Sequence, residues 1–134
     1  MSSSNLKDMA LSAAQFSYSP YSKVKIGSSL LLSNGKTYSG CNIENASYGG
    51  TVCAERVAIW KAYSENKSDV KIKEIFVASE FENPWPPCGL CRQVIAEFAT
   101  PETKITLVNA QDARKEILFK DLLPFAFGPD NFKA

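Results

Sequence analysis

The sequence predicts an α/β fold in which one mixed sheet carries packed helices. Apolar residues alternate between helical spacing and short strand-like runs, in the order α-β-β-α-β-α-β-β. The chain's 134 residues, 45% of them hydrophobic and 22% charged, suffice for one domain with a real core. No repeat, low-complexity tract or linker divides it, so residues 1–134 are expected to form a single domain.

Ser4 to Phe16 reads as the first helix, with Leu6, Met9, Ala10, Ala13 and Phe16 at helical spacing and Ser3 or Ser4 as cap. Ser17-Tyr18-Ser19-Pro20-Tyr21-Ser22 breaks it. Val24 to Leu32 and Lys36 to Cys41 read as strands joined at Asn34-Gly35, because both turn residues tolerate positive φ. A second helix is expected from about Cys53 to Tyr63, followed by the polar loop Asn66-Lys67-Ser68-Asp69. A strand covers Ile72 to Ser79, and a third helix runs from about Cys88 to Phe98 after the proline-rich Phe81–Pro87 loop. Ile105 to Val108 and Glu116 to Phe119 read as the last strands, and Asp121 to Pro124 as one helical turn.

A net charge of +1 supplies no field to recruit nucleic acid or an acidic membrane. No apolar run approaches a membrane span, and Met1-Ser2-Ser3-Ser4-Asn5 lacks the basic and apolar regions of a signal peptide. A cytoplasmic protein is expected. In a reducing compartment the four cysteines, Cys41, Cys53, Cys88 and Cys91, are metal ligands or free thiols more readily than disulfides. Histidine is absent, so no Ser-His-Asp or Cys-His unit can be built, and any zinc site must use Cys, Asp or Glu.

Two segments carry the chemistry: Cys53-Ala54-Glu55-Arg56 and Pro87-Cys88-Gly89-Leu90-Cys91. Catalytic zinc takes three protein ligands and leaves a fourth place for water. Cys53, Cys88 and Cys91 supply three. Cys88 and Cys91 are three apart, so both face one way on a helix's first turn, and helix starts favour thiolate over thiol. Three thiolates on Zn²⁺ sum to −1, a poor Lewis acid unless cations lie nearby. Arg56 and Arg92 are placed to donate hydrogen bonds to the sulfurs. Glu55, two residues from Cys53, is placed to carry the proton of a zinc-activated water. Cys41 reads as a small buried hydrophobe, with a fourth zinc ligand as the alternative.

The pattern Cys-x-Glu followed by Pro-Cys-x-x-Cys is that of zinc-dependent nucleobase deaminases. Over nearly its whole length the chain resembles the small homotetrameric cytidine deaminases. The matching stretches are Pro20-Tyr21-Ser22-Lys23, Gly40-Cys41-Asn42-Ile43-Glu44-Asn45-Ala46, the two Cys segments with Arg92-Gln93-Val94, and Leu122-Leu123-Pro124. The resemblance implies a three-layer α/β/α fold around a five-stranded mixed sheet and one Zn²⁺ per subunit. It implies hydrolysis of cytidine and 2′-deoxycytidine to uridine and 2′-deoxyuridine plus ammonia, in pyrimidine salvage. Zinc hydroxide attacks C4, and Glu55 protonates N3 and then the departing amine. Asn42 and Glu44 match residues that bind the ribose 3′-hydroxyl, and the backbone of Ala54 one that meets the pyrimidine. Phe127 and Tyr48 match residues that reach a neighbouring subunit's site. Val24 stands where many relatives carry Phe beside the substrate, which removes aromatic surface. The Phe81–Pro87 loop, with Trp85, departs from the usual pattern.

Rival readings are a thiol-disulfide oxidoreductase built on Cys88 and Cys91, which leaves Cys53 and Glu55 unexplained, and a structural zinc module closed by Cys41. Within the deaminases, blasticidin S and nucleic-acid cytosines are other substrates. Asn42 and Glu44 speak for a free nucleoside, and the near-neutral charge speaks against a polynucleotide.

Overall fold

In the computed structural model, which describes residues 3–68 and 70–133, five strands form one sheet in the order β2-β1-β3-β4-β5. The strands are β1 (Gly27–Leu32), β2 (Thr37–Cys41), β3 (Ile72–Ala78), β4 (Ala99–Val108) and β5 (Arg114–Leu118). Only the β3–β4 pair is parallel. The β1–β2 turn falls at Asn34-Gly35 as expected, though of the two only Gly35 takes positive φ. Gly35 takes φ +90°, its N–H donates to the Leu32 carbonyl, and the Lys36 N–H donates to Asn34 Oδ1.

The helices are α1 (Ser3–Ala14), α2 (Ala54–Asn66), α3 (Gly89–Phe98) and the single turn α4 (Phe119–Leu122). Leu6 and Ala10 of α1 pack on Leu31, Phe76, Ala78 and Val108 on one face of the sheet. Ala58, Ile59 and Ala62 of α2, Ile95 of α3, and Phe119 and Leu122 of α4 pack with Leu30, Ile75, Val77, Ile105 and Leu107 on the other. The three-layer α/β/α arrangement is thus present. All of β1 is buried because helices cover both its faces.

Several boundaries differ from the sequence reading. α1 stops at Ala14, and Phe16 is 79% exposed, beyond the packed face. β1 starts at Gly27, not Val24. α2 runs on to Asn66, whose side chain donates to Tyr38 Oη and to the Ala62 carbonyl. β4 begins six residues early, at Ala99, because Ala99 pairs with Ile72 and Thr103 Oγ1 donates to the Ile72 carbonyl inside the protein. β5 and α4 each lie about two residues earlier than expected. The cap expected of Ser3 or Ser4 rests on side chains outside the described residues, as does the Asp69 end of the polar loop.

The topology brings two helix starts to one end. β2 and β3 are each antiparallel to β1, so they run in the same direction. The chain leaving β2 leads to α2, and the chain leaving β3 leads to α3. Both helices lie on the same face, so their N-termini open at the carboxyl ends of the strands, where open α/β sheets place ligands.

Close helix–sheet approach depends on Gly27. A Cβ there would lie 1.9 Å from the Ala10 carbonyl oxygen and 2.6 Å from the Ala14 nitrogen, both backbone atoms of α1. Gly27→Ala should therefore cost about 3 kcal/mol as α1 is forced outward. Urea unfolding checks this, and an unchanged midpoint would refute the packing account.

Candidate active site

Cys53 and Cys88 are the N-cap residues of α2 and α3, each with extended backbone, and Cys91 lies in the first turn of α3. The three sulfurs lie within 4.8 Å of one another. The Cys53 and Cys88 Sγ atoms are 3.8 Å apart. Zinc–sulfur bonds of about 2.3 Å at tetrahedral angles place two sulfurs ~3.8 Å apart, so the donor set fits zinc. Crowding splits the thiols electrostatically. Cys53 is pulled down to about 5, chiefly by the hydrogen bond from Cys91 and then by those of Arg56 and Cys88, against the opposing effect of burial. Cys91 is pushed up, first by its hydrogen bond with Cys53 and then by burial.

Glu55 stands in the first turn of α2 and is only 4% exposed. Burial pushes its carboxyl up to about 7, and the Cys53 charge adds to this while Arg56 opposes it. Arg56 Nη2 donates to Cys53 Sγ at 3.5 Å, and its guanidinium lies over the Trp60 ring at 5.8 Å. Arg92 corrects the expectation made for it. Its Nε donates to the Pro87 carbonyl at 2.8 Å and Nη1 to the Leu122 carbonyl at 3.0 Å. Rather than donating to a sulfur, it fixes the backbone that enters Cys88 and ties α3 to α4.

A cavity of about 320 Å³ opens beside the cluster. Val24, Asn42, Glu44, Ala54, Glu55, Cys53 and Cys88 all line it. Backbone pairing draws the loop after β2 to the start of α2: Ile43 and Val52 exchange two hydrogen bonds of 3.0 Å, and Glu44 N–H donates to the Tyr18 carbonyl. Asn42 Oδ1 accepts from Ser17 Oγ and the Ile26 N–H, and Nδ2 donates to the Val24 carbonyl at 2.8 Å. Glu44 Oε1 accepts from the Tyr21 and Ser22 N–H groups, and Oε2 from Ser22 Oγ. The Ser22 hydroxyl above all, and then these N–H groups, hold the Glu44 carboxyl below the usual carboxylate range.

Tyr48 and Phe127 lie outside this cavity. Tyr48 is 80% exposed and meets Tyr21 edge-on, while Phe127 borders a separate hollow beside α4, its carbonyl accepting from Gln93. Cys41 is also elsewhere. It lines a shallow pocket with Met9, Phe16 and Lys61 and does not join the three-thiol cluster. Sequence reasoning assigned no contact to Trp85 and Pro86, yet both line the cavity. Neither helical nor strand periodicity marks them.

A family model described as the cytidine and deoxycytidylate deaminase zinc-binding region matches residues 1–107. The chain belongs to the cytidine and deoxycytidylate deaminase family. It is 48% identical over 118 residues to a cytidine deaminase of Halalkalibacterium halodurans, covering 88% of each chain. Among solved structures, a cytidine deaminase from Burkholderia pseudomallei superposes with a TM-score of 0.88 at 39% identity, covering 95% of this chain and 100% of the other. One from Mycobacterium tuberculosis does so with 0.81 at 32% identity, covering 96% and 98%. The three-cysteine cluster of this deaminase family member can hold a metal ion, and zinc is the ion its family binds.

The geometry separates the cysteines experimentally. Cys88→Ser should lower bound zinc well below one ion per chain, whereas Cys41→Ser should leave it at the parent level. Elemental analysis of the purified proteins decides, and zinc loss in the Cys41 variant would restore the structural-module reading.

Proposed function

We propose that this protein hydrolyses cytidine and 2′-deoxycytidine to uridine and 2′-deoxyuridine with release of ammonia. One observation carries the reading. A single cavity is lined by an amide and a carboxylate, Asn42 and Glu44, and by a buried carboxylic acid, Glu55, next to a cluster of three thiols. The relatives named cytidine deaminase support the same substrate.

When bound to the three thiolates, zinc supplies the Lewis acidity that makes a water nucleophilic at C4 of the base. Glu55 takes the proton this water gives up, delivers it to N3, and then carries a proton to the departing amine. Its burial directs that proton to the substrate rather than to bulk water. Arg56 draws charge from the Cys53 sulfur, which offsets the electron-rich donor set. Asn42 and Glu44 bind the ribose 3′-hydroxyl, the Ala54 backbone meets the pyrimidine, and Val24 lies against the substrate. Residues 1–134 act as one deaminase domain. Tyr48 and Phe127, which lie outside their own chain's cavity, serve a neighbour's site in a homotetramer. Thiol ligands suit a reducing, cytoplasmic setting, and pyrimidine salvage is the role this reaction fits.

The decisive assay follows cytidine by ultraviolet absorbance. Parent protein should convert it to uridine. Glu55→Ala should lose at least about 10²-fold in rate while keeping its zinc, and Arg56→Gln should lose roughly tenfold. Zinc-loaded parent that leaves cytidine untouched but turns over blasticidin S or another aminopyrimidine would replace the substrate assignment. For the assembly, sedimentation at the mass of four chains is expected, and a monomer with full activity would exclude shared sites.

A further inference from the structure

Trp85 is the single aromatic side chain among the residues lining the cavity. The other apolar side chains there, Val24, Ile26, Val52, Ala54, Val77 and Pro86, are aliphatic. Trp85 stands three residues before Cys88, a span that limits their Cα separation to ~10 Å, and both line the same cavity. One indole face lies on the Phe81 ring, with centroids 4.1 Å apart and planes 9° apart, yet the residue stays 48% exposed.

The loop that carries it is held at both ends. Asn109 Nδ2 donates to the Phe81 carbonyl at 2.9 Å, and Asn109 itself is buried. Arg92 Nε donates to the Pro87 carbonyl at 2.8 Å. Pro84, Pro86 and Pro87 fix φ between these anchors. An indole so backed and so tethered has little conformational freedom left to lose on binding, as a recognition surface requires. A flat aromatic face on an otherwise aliphatic wall suits a flat heteroaromatic ring.

We infer that Trp85 is the wall against which the pyrimidine ring of the substrate stacks, with Phe81 as its positioning residue. The inference rests on the nucleoside reading above. Trp85 forms no bond and moves no proton in this role, so it acts on binding rather than on the chemical step. Phe81 acts only through Trp85.

Steady-state kinetics on cytidine and fluorescence titration with uridine test this on the zinc-loaded protein. Trp85→Ala should raise KM about tenfold or more with kcat and zinc content near the parent values. Trp85→Phe, which keeps an aromatic face, should stay within about threefold of the parent KM. Phe81→Ala should raise KM by less than Trp85→Ala. The chain has 2 tryptophans, so uridine should quench parent fluorescence and the quench should vanish in Trp85→Phe. An unchanged KM in Trp85→Ala, or an undiminished quench in Trp85→Phe, overturns the inference while leaving the deaminase reading intact. A smaller assembly with unchanged KM assigns Trp85 to a subunit contact and overturns it equally. Zinc-loaded parent that neither turns over cytidine nor binds uridine removes both readings together.

Discussion

Three thiols held within 4.8 Å set the terms for the rest of the molecule. They cannot all ionise at that spacing without positive charge nearby, because each thiolate raises the proton affinity of the next. The fold answers with the partial positive charge of two helix starts and with the Arg56 guanidinium. A divalent cation completes the neutralisation. The opposed shifts of Cys53 and Cys91, each caused first by the hydrogen bond between them, follow from the same crowding. Both helix starts reach one point because β2 and β3 run in the same direction, and α1 closes on the other face only because Gly27 presents no side chain.

The same crowding shapes Glu55. It enters on α2 two residues after the Cys53 sulfur, so its carboxyl is carried into the interior next to negative charge. Burial and Cys53 raise its proton affinity, and Arg56 partly restores balance. Arg56 donates to the Cys53 sulfur and acts on the Glu55 carboxyl through its charge alone, and its guanidinium lies over the Trp60 ring. Arg92, directly after Cys91 in sequence, does a different job. Its Nε and Nη1 donate to two backbone carbonyls, which makes it a brace for the Cys88 turn.

What the sequence made legible was whatever depends on local spacing. Cys53 with Glu55, Cys88 with Cys91, and the Asn34-Gly35 turn each declare themselves within a few residues. The element order was also readable, and the sheet and layers follow it. What stayed hidden depends on distant partners. Ala99 to Thr103 has a polar, proline-containing sequence that does not read as strand, and it pairs because Ile72 and Thr103 meet. Arg92's partners include Leu122, 30 residues away. Trp85 lies in a proline-rich loop whose course is set by Asn109 and Arg92, so nothing periodic points to the cavity. Val24 to Ile26 reads as strand by composition, yet it leaves the sheet to form cavity wall.

The polar side of the cavity also fixes the sense of any hydroxyl bound there. Glu44 Oε1 already accepts two N–H bonds, and Oε2 accepts one from Ser22, which leaves one acceptor position on Oε2. Asn42 Oδ1 accepts two bonds, and Nδ2 gives one hydrogen to Val24, which leaves one donor hydrogen. Under the proposed reading, the ribose hydroxyl therefore donates to Glu44 and accepts from Asn42. The loop from Tyr18 to Val24 is kept in place by these same two side chains, and it contains Lys23 at φ +64°. On that reading the two residues that meet the sugar also hold the backbone around it, and the site is organised before the substrate arrives.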